Sequence, residues 1–281
     1  AWDFVTTCLG LDPERIWVTV HVSDDEAEAI WRDEVGVPAE RIQRLDEDNY
    51  WRMADTGPCG PCSEIFWDKG PEFGADGGPA HGGDERFIEL WNLVFMQFEQ
   101  HEDGSMTPLP KPSIDTGAGL ERILSVLQGV DSVWETDEFV GLLATIGELS
   151  GIAPGSDPRT DVSQRILADH IRSSAFLIGD GVFPSNEDRG YVLRRILRRA
   201  SRHGVLLGVE RPFVHQVADV VIDEMSSVYP ELSERRAFIC DRIRRDEERF
   251  LETLTRGLAL LEGEVEELRA KGATVLSGET A

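Results

Sequence analysis

The sequence predicts an α+β protein of two units, a strand-rich unit over residues 1–130 and an all-helical unit over residues 131–272. Runs of β-branched and aromatic residues with strand character are confined to the first unit. From Trp134 onward nearly every segment has the 3.6-residue spacing of an amphipathic helix. Because strands and helices are segregated along the chain, and 281 residues suffice for two cores, we predict α+β architecture. We expect residues 273–281 to begin a linker to a further domain.

The composition is that of a folded globular protein, with 41% hydrophobic and 29% charged residues and a formal net charge of −25. Such an acidic chain argues against a nucleic-acid partner unless some of its 28 basic residues are clustered. No apolar run is long enough to span a bilayer, so we predict no membrane partner. Four scattered cysteines do not form a disulfide framework, which indicates a reducing cytoplasm.

The pair Cys59-Gly-Pro-Cys62 is a lone C-x-x-C motif. A structural zinc would need two further ligands at suitable spacing, and the sequence offers none nearby. A redox role would need a helix after the motif, which Pro61 and the extended run 63–68 argue against. We therefore predict no zinc site in this chain, with zinc and redox chemistry as the minor alternatives.

The first elements can be assigned in order. Residues Ile16–Val22 predict a strand, and Ser23 with Glu26 predicts a capping box for a helix that Gly36 ends. A short strand is expected over 41–45. The two Gly-Pro pairs of 55–61 predict a rigid, shaped loop, because proline restricts its own backbone and that of the preceding residue.

Residues 63–68 predict another strand, and the six glycines of 69–85 a surface excursion. The run 86–98 is the strongest strand candidate, and since it is apolar on both faces we place it inside the sheet. Glu89, Asn92 and Gln97 interrupt it. They indicate either an edge strand with one solvated face or a cavity, and the cavity is favoured because polar groups among apolar neighbours mark pockets.

Residues 113–122 predict a strand, a glycine turn at Gly117 and Gly119, and a helix start. Such a turn lets a ligand approach the bare backbone, and the amides of the helix N-terminus favour anions. Asp115 could hold an amine and Arg122 a phosphate. The alternative is an ordinary helix start with a solvent-facing arginine.

The helical unit predicts helices over 138–150, 162–178, 186–203, 212–228 and 233–269. In the third, Val192, Leu193, Leu197 and their neighbours form one stripe, and five arginines without interleaved acids form the other. Their mutual repulsion must be relieved by acidic neighbours elsewhere in the fold or by a polyanion. The sequence alone leaves both open.

Several long segments in order, 55–66, 89–98, 113–122, 168–172, 184–187 and 189–200, resemble alanyl-tRNA synthetases, nearly from end to end of the chain. The resemblance implies part of the antiparallel sheet of a class II synthetase with flanking helices, followed by a helical tRNA-recognition domain. It implies that 113–122 is motif 3, with Arg122 on the γ-phosphate of ATP and Asp115 on the substrate ammonium. Glycines 117 and 119 would lie beneath the adenosine, with Gly117 also beside the amino acid.

The same resemblance assigns an alanine pocket to Trp51, Asn92 and Val94. Glu89 with Asn92 resembles the pair that holds Mg²⁺ on ATP, although a regular strand would point these two side chains to opposite faces. In the helical unit, Asn186 would read the identity base pair of alanine tRNA from the minor groove. The implied phosphate contacts are Arg194, Arg195, Arg198 and Arg199.

The implied reaction is ATP-dependent activation of L-alanine and transfer to the 3′ end of alanine tRNA. Motifs 1 and 2 are not found in this chain, nor are the zinc ligands expected in a downstream editing domain. We therefore expect the chain by itself to lack normal adenylation activity. The alternatives are a non-catalytic RNA-binding module derived from the synthetase fold and an enzyme that transfers alanine to a carrier protein.

Overall fold

The protein consists of two compact units, residues Ala1–Thr136 and Asp137–Ala281. A computed structural model describes residues 1–270, 272, 274–276 and 278. The division falls after Thr136, later than the position near 130 expected from composition, because the turn Val133–Glu135 packs on the last helix of the first unit. Positions 273, 277 and 279–281 of the expected linker lie outside the described residues.

The first unit is built on a six-stranded sheet of order β2-β1-β4-β5-β6, with β3 also paired to β4. The strands are β1 Ile16–His21, β2 Ile42–Leu45, β3 Tyr50–Arg52, β4 Gly57–Asp68, β5 Phe87–Gln100 and β6 Met106–Ala118. The expected antiparallel sheet is found for the pairs β1–β4, β3–β4, β4–β5 and β5–β6, whereas β1 and β2 run parallel, so the sheet is mixed. Between them the chain crosses over through a helical segment, which parallel strands require.

Helical segments pack against this sheet. The α-helices are α1 Asp25–Ala29, α2 Pro79–Gly82 and α3 Leu120–Gln128. Phe4–Cys8 and Ile30–Val35 are π-helical, and Pro13–Arg15, Ala39–Arg41, Glu47–Asn49, Pro71–Phe73 and Val133–Glu135 are 3₁₀ turns. Val18, Ile65 and Leu90 of the sheet form the core of this unit with Trp31 and Ile123 of the helical layer. The opposite face carries Glu64 and Asn92 together with apolar side chains such as Val94 and Phe66.

The crossover helix begins one residue later than the sequence indicates. Asp24, not Ser23, caps α1, and its carboxylate accepts a hydrogen bond from the Ala27 amide. The Ser23 hydroxyl instead bonds Nδ1 of His21 at the end of β1, so it is not free to cap. Gly36 ends the helical segment with a φ of 85°, as predicted.

The Gly-Pro segment is the first half of strand β4, which corrects the prediction of a loop. It pairs with β3 on one side and β5 on the other, so tertiary pairing overrides the turn propensity of its glycines and prolines. A Cβ on Gly60 would lie 2.2 Å from the carbonyl oxygen of Phe95, so only glycine permits this approach. The interior position of β5, between β4 and β6, is confirmed.

The proline-rich run belongs to β6, the edge strand next to β5. Pro108, Pro110 and Pro112 lack amide hydrogens and Lys111 is charged, and both features discourage pairing of the outer edge with another chain.

The second unit is helical, as predicted. Its helices are α4 Asp137–Ser150, α5 Pro158–Gly179, α6 Asp188–Leu206, α7 Val214–Met225, α8 Pro230–Glu234 and α9 Arg236–Ala270. Leu193 and Leu197 of α6 are buried, but Val192 is 56% exposed and does not belong to the buried stripe. Among the described residues no helix is both long and apolar enough to cross a membrane.

Candidate functional site

The face of the sheet opposite the apolar core of the first unit brings four of the predicted residues together. On neighbouring strands Glu64, Asn92 and Gly117 lie directly opposite one another, and so do Cys62, Val94 and Asp115 in the next row. Directly opposed residues of antiparallel strands present their side chains on the same face. Asn92, Val94, Asp115 and Gly117 therefore face a common surface, away from the apolar core.

A β-bulge places Glu89 on this surface as well. Ile65 pairs with Trp91 and Phe66 with Glu89, so β5 carries one extra residue, Leu90, at this point. The extra residue shifts the alternation of side chains, and Leu90 turns into the core with 1% exposure. The bulge that a Glu89–Asn92 pair requires is therefore present.

Arg122 reaches the same corner of the surface from helix α3. Its Nη1 donates to the main-chain oxygen of Glu89 at 3.0 Å and to Oε2 of Glu89 at 2.9 Å. A Cβ on Gly119 would come within 3.1 Å of the Arg122 side chain, which lies across the strand–helix turn. At Gly117 nothing lies within 4 Å of the position of a Cβ, so there is open space above this glycine.

A buried hydrogen-bond network holds the Asn92 side chain in place. Its Nδ2 donates to Oε1 of Glu64 at 3.2 Å, and the Thr19 hydroxyl donates to Oε2 at 3.2 Å. Asn49 Nδ2 in turn donates to Thr19 Oγ1 at 3.0 Å. Burial, reinforced by the charge of Glu89, raises the pKa of Glu64 to about 7.

Two buried amide oxygens of this network, Asn49 Oδ1 and Asn92 Oδ1, have no hydrogen-bond partner among the described residues, and Asn92 Oδ1 is the one on the predicted site residue. A buried polar atom without a partner is costly, which indicates a ligand-binding position. Sequence reasoning missed Glu64, although a carboxylate within an apolar strand is the same signal that identified Glu89.

Trp51 stands apart from the paired rows. It lies on β3 opposite Gly60, and strand β4 separates it from Val94 on β5. Cys59 and Cys62 are both free and buried in β4, and burial raises the pKa of Cys62 to about 11, so its thiol stays protonated. The described part of the chain contains no cluster of three or more His, Cys, Asp or Glu residues able to hold a metal ion.

In the second unit, a tight loop before α6 presents Asn186 to solvent. A Cβ on Gly190 would lie 2.3 Å from the Phe183 carbonyl oxygen and 2.2 Å from the Ser185 hydroxyl, so only glycine lets the loop close onto the helix. Asp188 adopts a φ of 51°, a strained conformation for a non-glycine residue that is often found at functional sites. The loop lines an open cavity of about 670 Å³.

The arginines of α6 divide into two kinds. Arg195, Arg198 and Arg199 are exposed, and no ion pair reaches them from the described residues. The Arg194 side chain is only 20% exposed. Its guanidinium donates to Oδ1 of Asn186 and to the carbonyl oxygen of Pro184 at 3.3 Å. Arg194 is thus held within the loop that carries Asn186.

Comparisons with known proteins agree with this geometry. A family model described as tRNA synthetases class II (A) matches residues 1–281. The alanine–tRNA ligase of Acidithiobacillus ferridurans is 54% identical over 276 residues, which is 97% of this chain and 31% of that protein. The alanine–tRNA ligase of Chromohalobacter salexigens is 54% identical over 282 residues, 100% of this chain and 32% of that protein.

A third alanine–tRNA ligase, from Bdellovibrio bacteriovorus, is 50% identical over 293 residues, 99% of this chain and 32% of that protein. The chain thus spans about a third of the length of the curated relatives that it matches. Because the family model covers every residue and the relatives cover nearly all of them, the chain belongs to the class II tRNA synthetase family.

Proposed function

We propose that this chain is the segment of an alanine–tRNA ligase that contributes to alanine activation and binds the tRNA. The supporting observation is the pair of opposed rows on β4, β5 and β6, which gathers Asn92, Val94, Asp115 and Gly117 on one surface. The relatives are named alanine–tRNA ligases, which indicates alanine as the amino acid, and this surface carries groups that can bind alanine.

The alanine substrate would meet three kinds of group on this surface. The exposed Asp115 carboxylate binds the ammonium, and the Thr116 amide donates to its Oδ1 at 2.9 Å and so restricts its rotation. The free Oδ1 of Asn92 is a further acceptor. Val94, with 4% exposure, offers an apolar contact to the methyl group. Trp51 is included in the pocket from the family resemblance alone, since strand β4 lies between it and Val94.

ATP would lie over the strand–helix turn. The open space above Gly117 accepts the nucleotide, the backbone at Gly119 allows close approach, and Arg122 binds the γ-phosphate. Glu89, which lies beside Asn92 on β5, would supply a carboxylate oxygen of the kind that suits Mg²⁺ on ATP. The bound ion would neutralise part of the triphosphate charge.

The chain's own residues contribute position and charge rather than covalent chemistry. Asp115 orients alanine so that its carboxylate can attack the α-phosphate of ATP, with pyrophosphate as the leaving group. The ribose hydroxyl at the 3′ end of tRNA then takes the alanyl group from the adenylate, with AMP as the leaving group. A pocket sized for a methyl group cannot strongly reject glycine or serine, so the proposal implies editing at another site, where we would also expect any zinc.

The second unit would bind the acceptor stem of alanine tRNA. Three exposed arginines that no ion pair reaches from the described residues lie on the helix that follows the Asn186 loop, and such a surface attracts a polyanion even in a chain of net charge −25. In this proposal Asn186 contacts the identity base pair, while Arg195, Arg198 and Arg199 contact phosphates, and Arg194 acts through Asn186. The four cysteines are all free, which fits a cytoplasmic location.

The proposal can be tested by exchanging the matched segment of the Acidithiobacillus ferridurans ligase for this chain. We expect the chimera to catalyse alanine-dependent exchange of pyrophosphate into ATP. Asp115→Ala should lower that rate at least about 100-fold, because it removes the charged partner of the substrate ammonium.

The matched control is Glu102→Ala, which removes an exposed carboxylate at the turn of the same β5–β6 hairpin. This control should keep the exchange rate, and both variants should keep their affinity for tRNA. Full exchange activity in Asp115→Ala would remove Asp115 from the amino-acid site.

A further inference from the structure

Helices α6 and α9 enclose a small basic pocket that the family resemblance does not assign. Its volume is about 50 Å³, so a single small polar group can enter it but a base cannot. We call it the arginine pocket, and its lining is Pro184, Arg194, Arg242, Arg245, Asp246 and Arg249.

Positive charge is in excess in the arginine pocket. Four guanidinium groups surround one carboxylate, Asp246, and no acid on the pocket wall balances the other three. Arg245 forms an ion pair outside the pocket with Asp241 at 2.7 Å. Arg242 stacks over the Phe183 ring at 5.4 Å, and no ion pair reaches Arg249 within the described residues.

The polar atoms inside the pocket are also incompletely satisfied. Arg194 Nε and Asp246 Oδ1 are 3.9 Å apart, too far for a hydrogen bond. Within the described part of the chain, Arg194 Nε and Asp246 Oδ2 are buried without a hydrogen-bond partner. An unused buried N–H donor beside excess positive charge is suited to an oxyanion.

The pocket adjoins the loop that presents Asn186. Pro184 belongs both to the pocket wall and to this loop, and Arg194 contacts both the pocket and the Asn186 side chain. A ligand in the pocket therefore lies next to whatever Asn186 contacts.

We propose that the arginine pocket binds one backbone phosphate of the RNA, with Arg249 and Arg242 of α9 as its principal donors. This inference rests on the proposed function, because it takes the phosphate to be part of tRNA. The pocket is too small for a base, and guanidinium groups match the bidentate geometry of a phosphodiester. Asp246 opposes the anion, while Arg194 is held toward the loop by its bonds to Asn186 and Pro184.

Arg249→Ala is the most informative variant, because this side chain is exposed and its loss breaks no ion pair within the described residues. Binding of a fluorescein-labelled acceptor-stem RNA hairpin of alanine tRNA is measured by fluorescence anisotropy between about 50 and 300 mM salt. Over this range the slope of log affinity against log salt reports the number of phosphate contacts. We expect about tenfold weaker binding at low salt and a slope of log affinity against log salt that is smaller by about one.

Two matched variants separate charge from fold. Arg249→Lys keeps the charge and should restore most of the slope. Arg159→Ala removes an arginine whose side chain is 94% exposed on α5 of the same unit, and should leave the slope unchanged. Circular dichroism establishes that all variants are folded. Arg242→Ala separately removes the other proposed phosphate donor.

The outcomes are distinguishable. Failure of the native chain to bind the hairpin would overturn the RNA part of the proposed function. Normal hairpin binding with the same slope in native, Arg249→Ala and Arg242→Ala proteins would overturn only the arginine pocket. Stabilisation of the native chain by inorganic phosphate over chloride at equal ionic strength, lost in Arg249→Ala while hairpin binding is kept, would mean a free-anion site and would also overturn the inference.

Discussion

At the scale of single residues, Glu64 illustrates how a site residue can be hidden in a strand. It is 7% exposed and bonded to Asn92 and Thr19, with Glu89 and Asp48 as charged neighbours and the Cys62 thiol nearby. Burial and the negative neighbours disfavour its charged form, which is why its pKa rises from 4.5 to about 7. Its protonation state therefore couples the support of Asn92 to pH near neutrality.

This coupling predicts a pH-dependent stability. Between pH 4.5 and 7 the folded chain keeps a proton on Glu64 that the unfolded chain has released. The stability that protonated Glu64 contributes to the fold is therefore complete at low pH and is lost as the pH rises through about 7. Glu64→Gln removes it, so the unfolding free energy of the variant relative to the native chain should increase between pH 5 and 8, by on the order of 3 kcal/mol at most.

Urea unfolding at pH 5, 6, 7 and 8 measures this difference. Glu102→Gln, an exposed carboxylate on the β5–β6 hairpin, serves as the control and should show a constant difference from the native chain. A constant difference for Glu64→Gln as well would mean that Glu64 titrates normally in the fold.

At the scale of elements, the Asn186 loop depends on the first turn of α6. The Ser185 amide donates to the Gly190 carbonyl oxygen at 3.0 Å, and the Ser185 hydroxyl donates to the Glu187 carbonyl oxygen at 2.7 Å. Gly190 lies beneath these bonds, where a side chain would collide with the loop backbone. The helix start and the presentation of Asn186 are thus one structural unit.

Gly190→Ala should therefore lower the unfolding free energy by about 1–3 kcal/mol, because the added methyl overpacks the loop against the helix. Gly263→Ala on α9 is the matched control. Nothing lies within 4 Å of its Cβ position, so it should stabilise the chain by up to about 1 kcal/mol through helix propensity. Thermal unfolding and binding of the acceptor-stem RNA hairpin are measured for both variants. Equal effects of the two substitutions would show that the loop does not need Gly190.

At the scale of the whole molecule, charge is distributed unevenly. The formal net charge is −25, whereas the surface of α6 and the arginine pocket are basic. Like charges across an acidic compact chain repel one another and lower its stability, and salt screens this repulsion. Salt also weakens binding of a polyanion to the basic surface of α6 and to the arginine pocket.

Raising NaCl from low concentration to physiological ionic strength should thus change two properties in opposite directions. The melting temperature of the chain should rise by a few degrees, and the affinity for the acceptor-stem hairpin should fall at least tenfold. KCl at equal ionic strength should reproduce both effects, because screening depends on ionic strength. Hairpin affinity that is independent of salt would contradict a phosphate-binding surface.

Much of this architecture could be read from local pattern. The β-branched run that forms β1, the interior position of β5 and the glycine-opened start of α3 follow from side-chain spacing. The Gly-Pro segment could not be assigned correctly, because its strand conformation is imposed by pairing with β3 and β5. The capping residue of α1 was displaced by one position, because a bond to His21 occupies Ser23.

The sequence by itself determined the segregation of strands and helices, the family resemblance and the residue types of the site, because these are recorded in composition, spacing and motif order. Only the tertiary structure decided that β2 runs parallel to β1, that a bulge at Leu90 turns Glu89 to the same face as Asn92, and that Asp246 meets Arg194. These features depend on contacts between residues far apart in the chain. Their energies come from pairing and burial in the fold, which no local window of sequence contains.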